Sequence, residues 1–255
     1  GLVIHQVLDK LHMHYKGLIN SQTRNKIPTD QDVINYFDQV ENGLRARGIK
    51  AISPHVRESA LKVLKIFNRI EGPTLYPNVI DTECNLETDR GNYIMHGKVD
   101  VLRHISTGRI PKGYDAVEIW DYKGTNAPET HTQQGRRKLE MFKSQMLVYA
   151  NIYHEKTGKY PLKCVLYFMN ELDLEPEPHS RPTSALMEID MRDPDNLDKL
   201  NSVIANFDNT VKEISYCKNK DSWNPPDSSE TDKETCDICD LRWDCPSVNY
   251  PMRYP

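Results

Sequence analysis

The stretch AVEIWDYKGT, Ala116 to Thr125, limits what this chain can fold into more than any other segment. Its apolar residues are those of a buried strand, and the strand ends at Gly124 with Asp121 and Lys123 two residues apart. Alternate residues of a strand lie on one face, so the pattern places a carboxylate beside an amine at a strand end. Such a pair is more often a solvated salt bridge than a catalytic pair, and the other motifs must decide between the two.

Helical patterns occupy the first part of the chain and its later part. Thr29 and Ser53 have the positions of N-caps for two helices that follow an amphipathic N-terminal helix, and the helical spacing stops at EGP. A last helix opens at Asp193 or Asp195. Its apolar residues recur at helical spacing, and we expect them on its inner face: Leu197, Leu200, Ile204, Phe207, Val211 and Ile214.

Between these helices the pattern predicts four strands and one long helix. The strands are predicted in YIMHGKVDVLRH, DAVEIWDYKG, KCVLYFMN and ALMEIDM. The long helix is predicted to begin at Leu139, after the polar loop TNAPETHTQQGRRK. Helices followed by strands and helices together predict an α/β domain with a central mixed sheet flanked by helices, a helical N-terminal segment and a C-terminal tail that carries a cysteine cluster.

We divide the chain into a main domain at residues 1–222, with a helical insert at about 16–72, and a linker with the cysteine tail at residues 223–255. The segment NPPDSSETDK has the composition of a linker. The chain opens inside a helical pattern without methionine, so we expect a piece of a longer protein. No run of about 18 apolar residues occurs, and we expect no membrane partner.

Two carboxylates are expected to converge at the strand ends. Asp100 ends the apolar alternation of HGKVD, and if this strand pairs with the next one, Asp100 approaches Asp121. Converging carboxylates repel each other unless a divalent cation lies between them, and oxygen ligands suit Mg²⁺ or Mn²⁺. Lys123 beside them can hold the attacking water or neutralise developing charge. The arrangement therefore predicts phosphoryl chemistry.

Three further residues belong to this set. Gln145 and Tyr149 lie four residues apart in KSQMLVYANIY and hence on one helix face. His5 lies one position after the apolar Ile4 in the first helix. Each also has an ordinary structural interpretation: Gln145 as a surface residue, Tyr149 as a core residue and His5 as a structural histidine of the helix. A rival metal site, with zinc held by His5, Asp9 and His12 along one helix face, is also open.

Taken in order, GLVIHQVL, HGKVD, DYKGT and QMLVY resemble the motifs of the RecB-like branch of the PD-(D/E)XK nuclease superfamily. The resemblance implies a restriction-endonuclease-like core and a nuclease. It implies that Asp100 and Asp121 are metal ligands, that His5 completes the metal site, and that the backbone carbonyl of Tyr122 adds a ligand.

The same resemblance assigns the remaining site residues. Lys123 would position or activate the water, while Gln145 and Tyr149 would orient Lys123 and the DNA backbone. It also implies cleavage of single-stranded DNA ends by an exonuclease, and a fused or associated helicase in DNA repair, or a role in CRISPR adaptation. Arg136, Arg137 and Lys138 are candidate phosphate contacts, although a solvated basic loop is an equal alternative.

Three cysteines cluster near the end of the chain in CDICDLRWDCP: Cys236, Cys239 and Cys245. The clustering favours a metal site in a reducing, cytoplasmic compartment over a disulfide scaffold. By resemblance they would bind a [4Fe–4S] cluster, whose fourth ligand in the family is a cysteine before the helical histidine. This sequence has no cysteine before His5, and Cys217 is a local substitute. Zinc is the alternative metal.

Two other function classes stay open. The first is a RecB-like fold that is kept as a DNA-binding or scaffold module with a structural iron–sulfur or zinc site. The second is a zinc-binding interaction protein in which only the cysteine tail matters. Intact Asp100, Asp121 and Lys123 favour the nuclease over the first, and metal analysis distinguishes the second.

Overall fold

The computed structural model describes residues 2–49, 53–106 and 108–223, together with positions 236, 237, 239, 240, 242 and 245. The chain forms two compact units, Gly1–Ile204 and Ala205–Pro255. The first unit contains all the described strands. Among the described residues, no helix combines the length and the apolar character that crossing a bilayer requires.

The helices of the N-terminal part are α1 (Leu2–Lys16), α2 (Asp30–Ala46), α3 (Pro54–Ile70) and the single turn α4 (Gly72–Leu75). The predicted caps are confirmed. Thr29 accepts a hydrogen bond from the amide of Asp32, whose carboxylate accepts from the Thr29 amide at 2.8 Å, so α2 begins with a capping box. Ser53 caps α3, with Pro54 in the first turn.

The described strands form one five-stranded mixed sheet in the order β1-β2-β3-β4-β5. Neighbours are antiparallel except for β3 and β4, which are parallel and joined by the long helix α5. A last helix, α6, follows β5. The bounds are β1 (Val79–Asp89), β2 (Ile94–His104), β3 (Tyr114–Lys123), α5 (Gln133–Thr157), β4 (Tyr160–Phe168), β5 (Leu186–Asp190) and α6 (Pro194–Lys220). The predicted fold class is thereby confirmed.

Helices cover both faces of the sheet. Trp120 and Tyr122 of β3 lie in an apolar cluster with α1, α2 and α3, whereas Ile119 lies in a second cluster with α5. We call these the α1–α3 face and the α5 face. Because side chains alternate along a strand, Asp121 and Lys123 share the α5 face with Ile119.

Sequence reasoning missed β1 and misplaced the start of α5. Strand β1 has a single fully buried residue, Leu86, so it lacks the apolar alternation that would have identified it. Helix α5 begins at Gln133, capped by Thr132, rather than at Leu139. The polar first turns of α5 lie at the surface, where helical residues need no apolar spacing, and the loop was therefore predicted too long.

The inner face predicted for the last helix is confirmed only at its beginning. Leu200 and Ile204 are buried in the first unit. In the second unit, Phe207 is 39% exposed and Ile214 is 48% exposed. Helical spacing of apolar residues predicts an apolar face, but it does not specify which element packs against that face.

Candidate functional site

Pairing of β2 with β3 brings the two predicted carboxylates together. Val101 is paired with Trp120 in the antiparallel ladder, and Leu102 with Ile119. Continuing this register by one residue places Asp100 opposite Asp121. The prediction that the two strands pair as neighbours is therefore correct, and the two aspartates meet where the ladder ends.

Asp121 is a buried carboxylate that lies close to a second carboxylate, that of Asp100. Its exposed fraction is 4%. Burial, and then the charge of Asp100, raise the pKa of Asp121 to about 6, although the charges of Lys123 and His5 oppose this. Its Oδ2 forms an ion pair with Lys123, whose Nζ lies 2.7 Å away. A buried carboxylate beside a second carboxylate is suited to bind a cation.

Asp100 connects α1 to the sheet. One carboxylate oxygen lies 3.0 Å from His5 Nδ1, and the other accepts a 2.6 Å hydrogen bond from the backbone amide of Tyr122. Burial disfavours protonation of His5, but the hydrogen bond to Asp100 and the charges of Asp100, Asp121 and Glu83 outweigh it and raise the pKa of His5. The imidazole thus lies near carboxylates, and its role as a metal ligand stays a prediction.

Lys123 is held by a relay of hydrogen bonds from α5. Its Nζ donates to Gln145 Oε1 at 2.7 Å, and Gln145 Nε2 donates to the hydroxyl of Tyr149 at 2.7 Å. The ammonium also lies 4.4 Å from the centroid of the Phe142 ring. Burial raises the pKa of Tyr149 to about 12, so its hydroxyl stays protonated at neutral pH. The spacing of four residues in the sequence places both relay residues on the face that meets Lys123.

The glycine of HGKVD makes room for this relay. A Cβ atom on Gly97 would lie 2.7 Å from Cε1 of the Tyr149 ring, closer than real Cβ contacts. The absence of a side chain at Gly97 therefore lets Tyr149 pack directly on β2, where its hydroxyl reaches Gln145.

Sequence reasoning did not identify Glu83. His5, Glu83 and Asp100 each offer one ligand atom, and these atoms lie within 4.8 Å of one another. Among the described residues, this is the group of histidine, cysteine and acidic side chains that could hold a metal ion, and Asp121 is not a member of it. Glu83 lies on β1, the strand that the sequence pattern did not identify, so only the pairing of β1 with β2 could have pointed to it.

The rival zinc site on α1 is wrong for the part of the chain that the structure describes. His12 is fully buried, and its Nε2 is hydrogen-bonded to the hydroxyl of Tyr122 at 3.1 Å. Asp9 accepts a hydrogen bond from the Thr82 hydroxyl at 2.7 Å. Because His12 and Asp9 face different partners, only His5 of the three joins a group of candidate ligands.

The remaining predicted residues are not members of this group of candidate ligands. Arg136, Arg137 and Lys138 are exposed in the first turns of α5, and Arg136 donates to the backbone carbonyls of Thr130 and His131. Cys236, Cys239 and Cys245 are each partly buried, and most of the tail around them lies outside the described residues. The three cysteines form no group of candidate ligands within the described part.

Comparison with known proteins gives one family. The family model of the PD-(D/E)XK nuclease superfamily matches residues 1–246. Among solved structures, the chain is similar to a candidate exonuclease from Eubacterium rectale, with 14% sequence identity, a TM-score of 0.49, and coverage of 89% of this chain and 73% of that one. A search of curated proteins gave no match.

Proposed function

This chain belongs to the PD-(D/E)XK nuclease superfamily, and we propose that it is a metal-dependent deoxyribonuclease. The observation that carries the proposal is that Asp100 and the buried Asp121 lie opposite each other where β2 pairs with β3. Lys123 lies beside the Asp121 carboxylate in a fixed position. Two carboxylates can hold a cation, and an oriented ammonium can stabilise charge that develops on a phosphodiester.

The residues near Asp121 fit Mg²⁺ or Mn²⁺. His5, Asp100, Asp121 and the backbone carbonyl of Tyr122 would hold the ion. When bound, the ion polarises the scissile phosphate and lowers the pKa of a coordinated water. The chain itself supplies Lys123, whose ammonium orients the attacking water and stabilises charge that develops on the phosphate.

The relay of hydrogen bonds from α5 fixes the position of the Lys123 ammonium. Lysine has a long flexible side chain, and its ammonium contributes most when its position is fixed before the reaction. Gln145 fixes one N–H direction, and Tyr149 fixes Gln145 through a hydrogen bond of 2.7 Å. The relay thus holds the Lys123 ammonium 2.7 Å from the Asp121 carboxylate.

We assign the chain to the RecB-like branch, acting as an exonuclease on single-stranded DNA ends in DNA repair, in association with a helicase, in the reducing cytoplasm. The order of its four motifs supports this assignment. Exposed basic residues in the first turns of α5 support backbone contact with DNA, and such contacts make affinity fall with salt. They are Arg136, Arg137 and Lys138.

We also retain the division into a main domain at residues 1–222, with its helical insert at about 16–72, and a tail at residues 223–255. In the tail, Cys236, Cys239 and Cys245 would bind a [4Fe–4S] cluster, with zinc as the alternative. Iron and sulfide analysis of protein purified without oxygen, with a visible absorption spectrum, distinguishes the two. Zinc without iron would replace the cluster assignment.

The test of the nuclease is cleavage of end-labelled single- and double-stranded DNA with Mn²⁺, Mg²⁺ or EDTA. Wild type should degrade DNA only with a divalent cation, and Asp121→Asn should lose that activity. Asp115→Asn is a matched control on the same strand, since Asp115 pairs with Lys159 at 2.8 Å, away from the relay. Metal-dependent cleavage that survives in Asp121→Asn would contradict the assignment, and DNA binding without cleavage by wild type would favour the scaffold alternative.

A further inference from the structure

We propose that Glu83 is an additional ligand of the divalent cation, and that the metal centre therefore spans β1 as well as β2 and β3. The inference rests on the proposed nuclease function, because it concerns the same cation. Its first support is geometric: one ligand atom from each of His5, Glu83 and Asp100 lies within 4.8 Å of the others.

The pairing of β1 with β2 accounts for this position. Thr82 is opposite Val101 and Cys84 is opposite Val99, so Glu83 falls between these pairs, opposite Asp100. The backbone of Glu83 has a φ of +50°, a left-handed conformation that a residue other than glycine rarely adopts. The side chain of Glu83 is only 26% exposed. Glu83 is thus directed inward from an edge strand.

A second observation concerns the neighbouring carboxylate. Asp121 is 4% exposed, lies opposite Asp100 where β2 pairs with β3, and has its Oδ2 2.7 Å from Lys123 Nζ. Glu83, Asp100 and Asp121 thus occupy matching positions on three adjacent strands, and His5 Nδ1 lies 3.0 Å from Asp100. Carboxylates that converge in this way favour a divalent cation.

One cation from the chain already occupies part of this site. Lys98, the partner of Glu83 in an ion pair, projects from β2 two residues before Asp100 and is 55% exposed at its side chain. A lysine with access to water can leave at little cost when a stronger cation arrives. We therefore expect Lys98 to compete with the metal ion for Glu83. The imidazole nitrogen in the ligand set further favours Mn²⁺ over Mg²⁺.

The experiment is an equilibrium titration of metal-free protein with Mn²⁺, in which electron paramagnetic resonance measures free Mn²⁺. Glu83→Gln should raise the Kd for Mn²⁺ by about tenfold or more. Glu87→Gln is the matched control, because Glu87 lies on the same strand with its side chain in solvent. Lys98→Met should lower the Kd severalfold. Circular dichroism establishes that each variant is folded.

The outcomes separate this inference from the proposed function. An unchanged Kd in folded Glu83→Gln would overturn the role of Glu83, while DNA cleavage by wild type in a parallel assay would leave the nuclease assignment intact. Weaker Mn²⁺ binding in Glu83→Gln, with no cleavage by wild type, would support the ligand and overturn the nuclease. If Glu83→Gln does not fold, Lys98→Met decides: tighter binding supports the inference, and unchanged or weaker binding overturns it.

Discussion

On the α1–α3 face of the sheet, buried polar groups are paired with one another. Glu71 accepts from the Tyr167 hydroxyl at 3.1 Å and from Arg181 at 3.2 Å. His12 is hydrogen-bonded to Tyr122. On the α5 face, by contrast, the polar groups form a chain that begins at Tyr149 and runs through Gln145 and Lys123 to Asp121, whose Oδ2 lies 2.7 Å from Lys123 Nζ.

The difference lies in how the charged groups are arranged. On the α1–α3 face, burial lowers the pKa of His12 to about 3, so its ring is neutral, and Arg103 next to Trp120 is paired with Glu118 at 3.5 Å. On the α5 face, Asp100 lies opposite Asp121, and Lys123 Nζ lies 2.7 Å from Asp121. Buried polar groups therefore identify a site where like charges are held close together.

The largest expected effect comes from removing the Lys123 ammonium on the α5 face. Lys123→Met should lower the rate of DNA cleavage by about 100- to 1000-fold, because the reaction loses an oriented charge. Affinity for Mn²⁺ should persist, since Lys123 is not a ligand. Single-turnover cleavage and Mn²⁺ titration measure the two. Lys163→Met is the control, since Lys163 makes a surface ion pair with Glu188. Equal losses in both variants would refute the distinction between the two lysines.

On the α1–α3 face, the expected effect is on stability instead. Glu71→Ala should lower the free energy of unfolding by about 2–4 kcal/mol, because the buried Tyr167 hydroxyl loses its acceptor and Arg181 its partner. Urea denaturation of the metal-free protein measures it. Glu177→Ala, which breaks an exposed ion pair with Arg69, should cost less than about 1 kcal/mol. A rate of cleavage that falls in folded Glu71→Ala would contradict a purely structural role.

The pH dependence of stability sharpens the contrast. Because the pKa of His12 is about 3 in the folded protein and near its ordinary value when unfolded, protons bind preferentially to the unfolded chain between these values. The neutral His12 ring therefore contributes its full stabilisation above about pH 6.5. As the pH decreases below this value, the contribution decreases, by about 2 kcal/mol at pH 5. Urea denaturation at several pH values should give a shallower dependence for His12→Gln. Equal slopes would rule out this contribution.

The smallest expected effect is at the far end of the relay. Tyr149→Phe removes the hydroxyl that holds Gln145, and we expect the cleavage rate to fall about three- to tenfold, corresponding to one hydrogen bond. Tyr153→Phe, one turn along α5, is the matched control because its hydroxyl bonds to Asp115 instead. A Tyr149→Phe rate equal to that of the control would show that Lys123 needs no support beyond Gln145.

Much of this architecture is readable from local pattern. The caps Thr29 and Ser53 and four of the strands follow from residue type and spacing, because capping and strand alternation are local properties of the chain. The spacing of Gln145 and Tyr149 likewise determines that they share one helix face. Strand β1 was missed because its burial is irregular, and the start of α5 was misplaced because its first turns are exposed.

By itself, the sequence determined which chemical groups the chain offers and which of them share a strand face or a helix face, since alternation and helical periodicity depend only on neighbours along the chain. The tertiary structure decided which of these groups meet. His12 pairs with Tyr122, 110 positions away in the chain, whereas His5 meets Asp100. Glu83 joins them only through the register of β1 on β2, because contacts between distant segments depend on packing and pairing that no local pattern specifies.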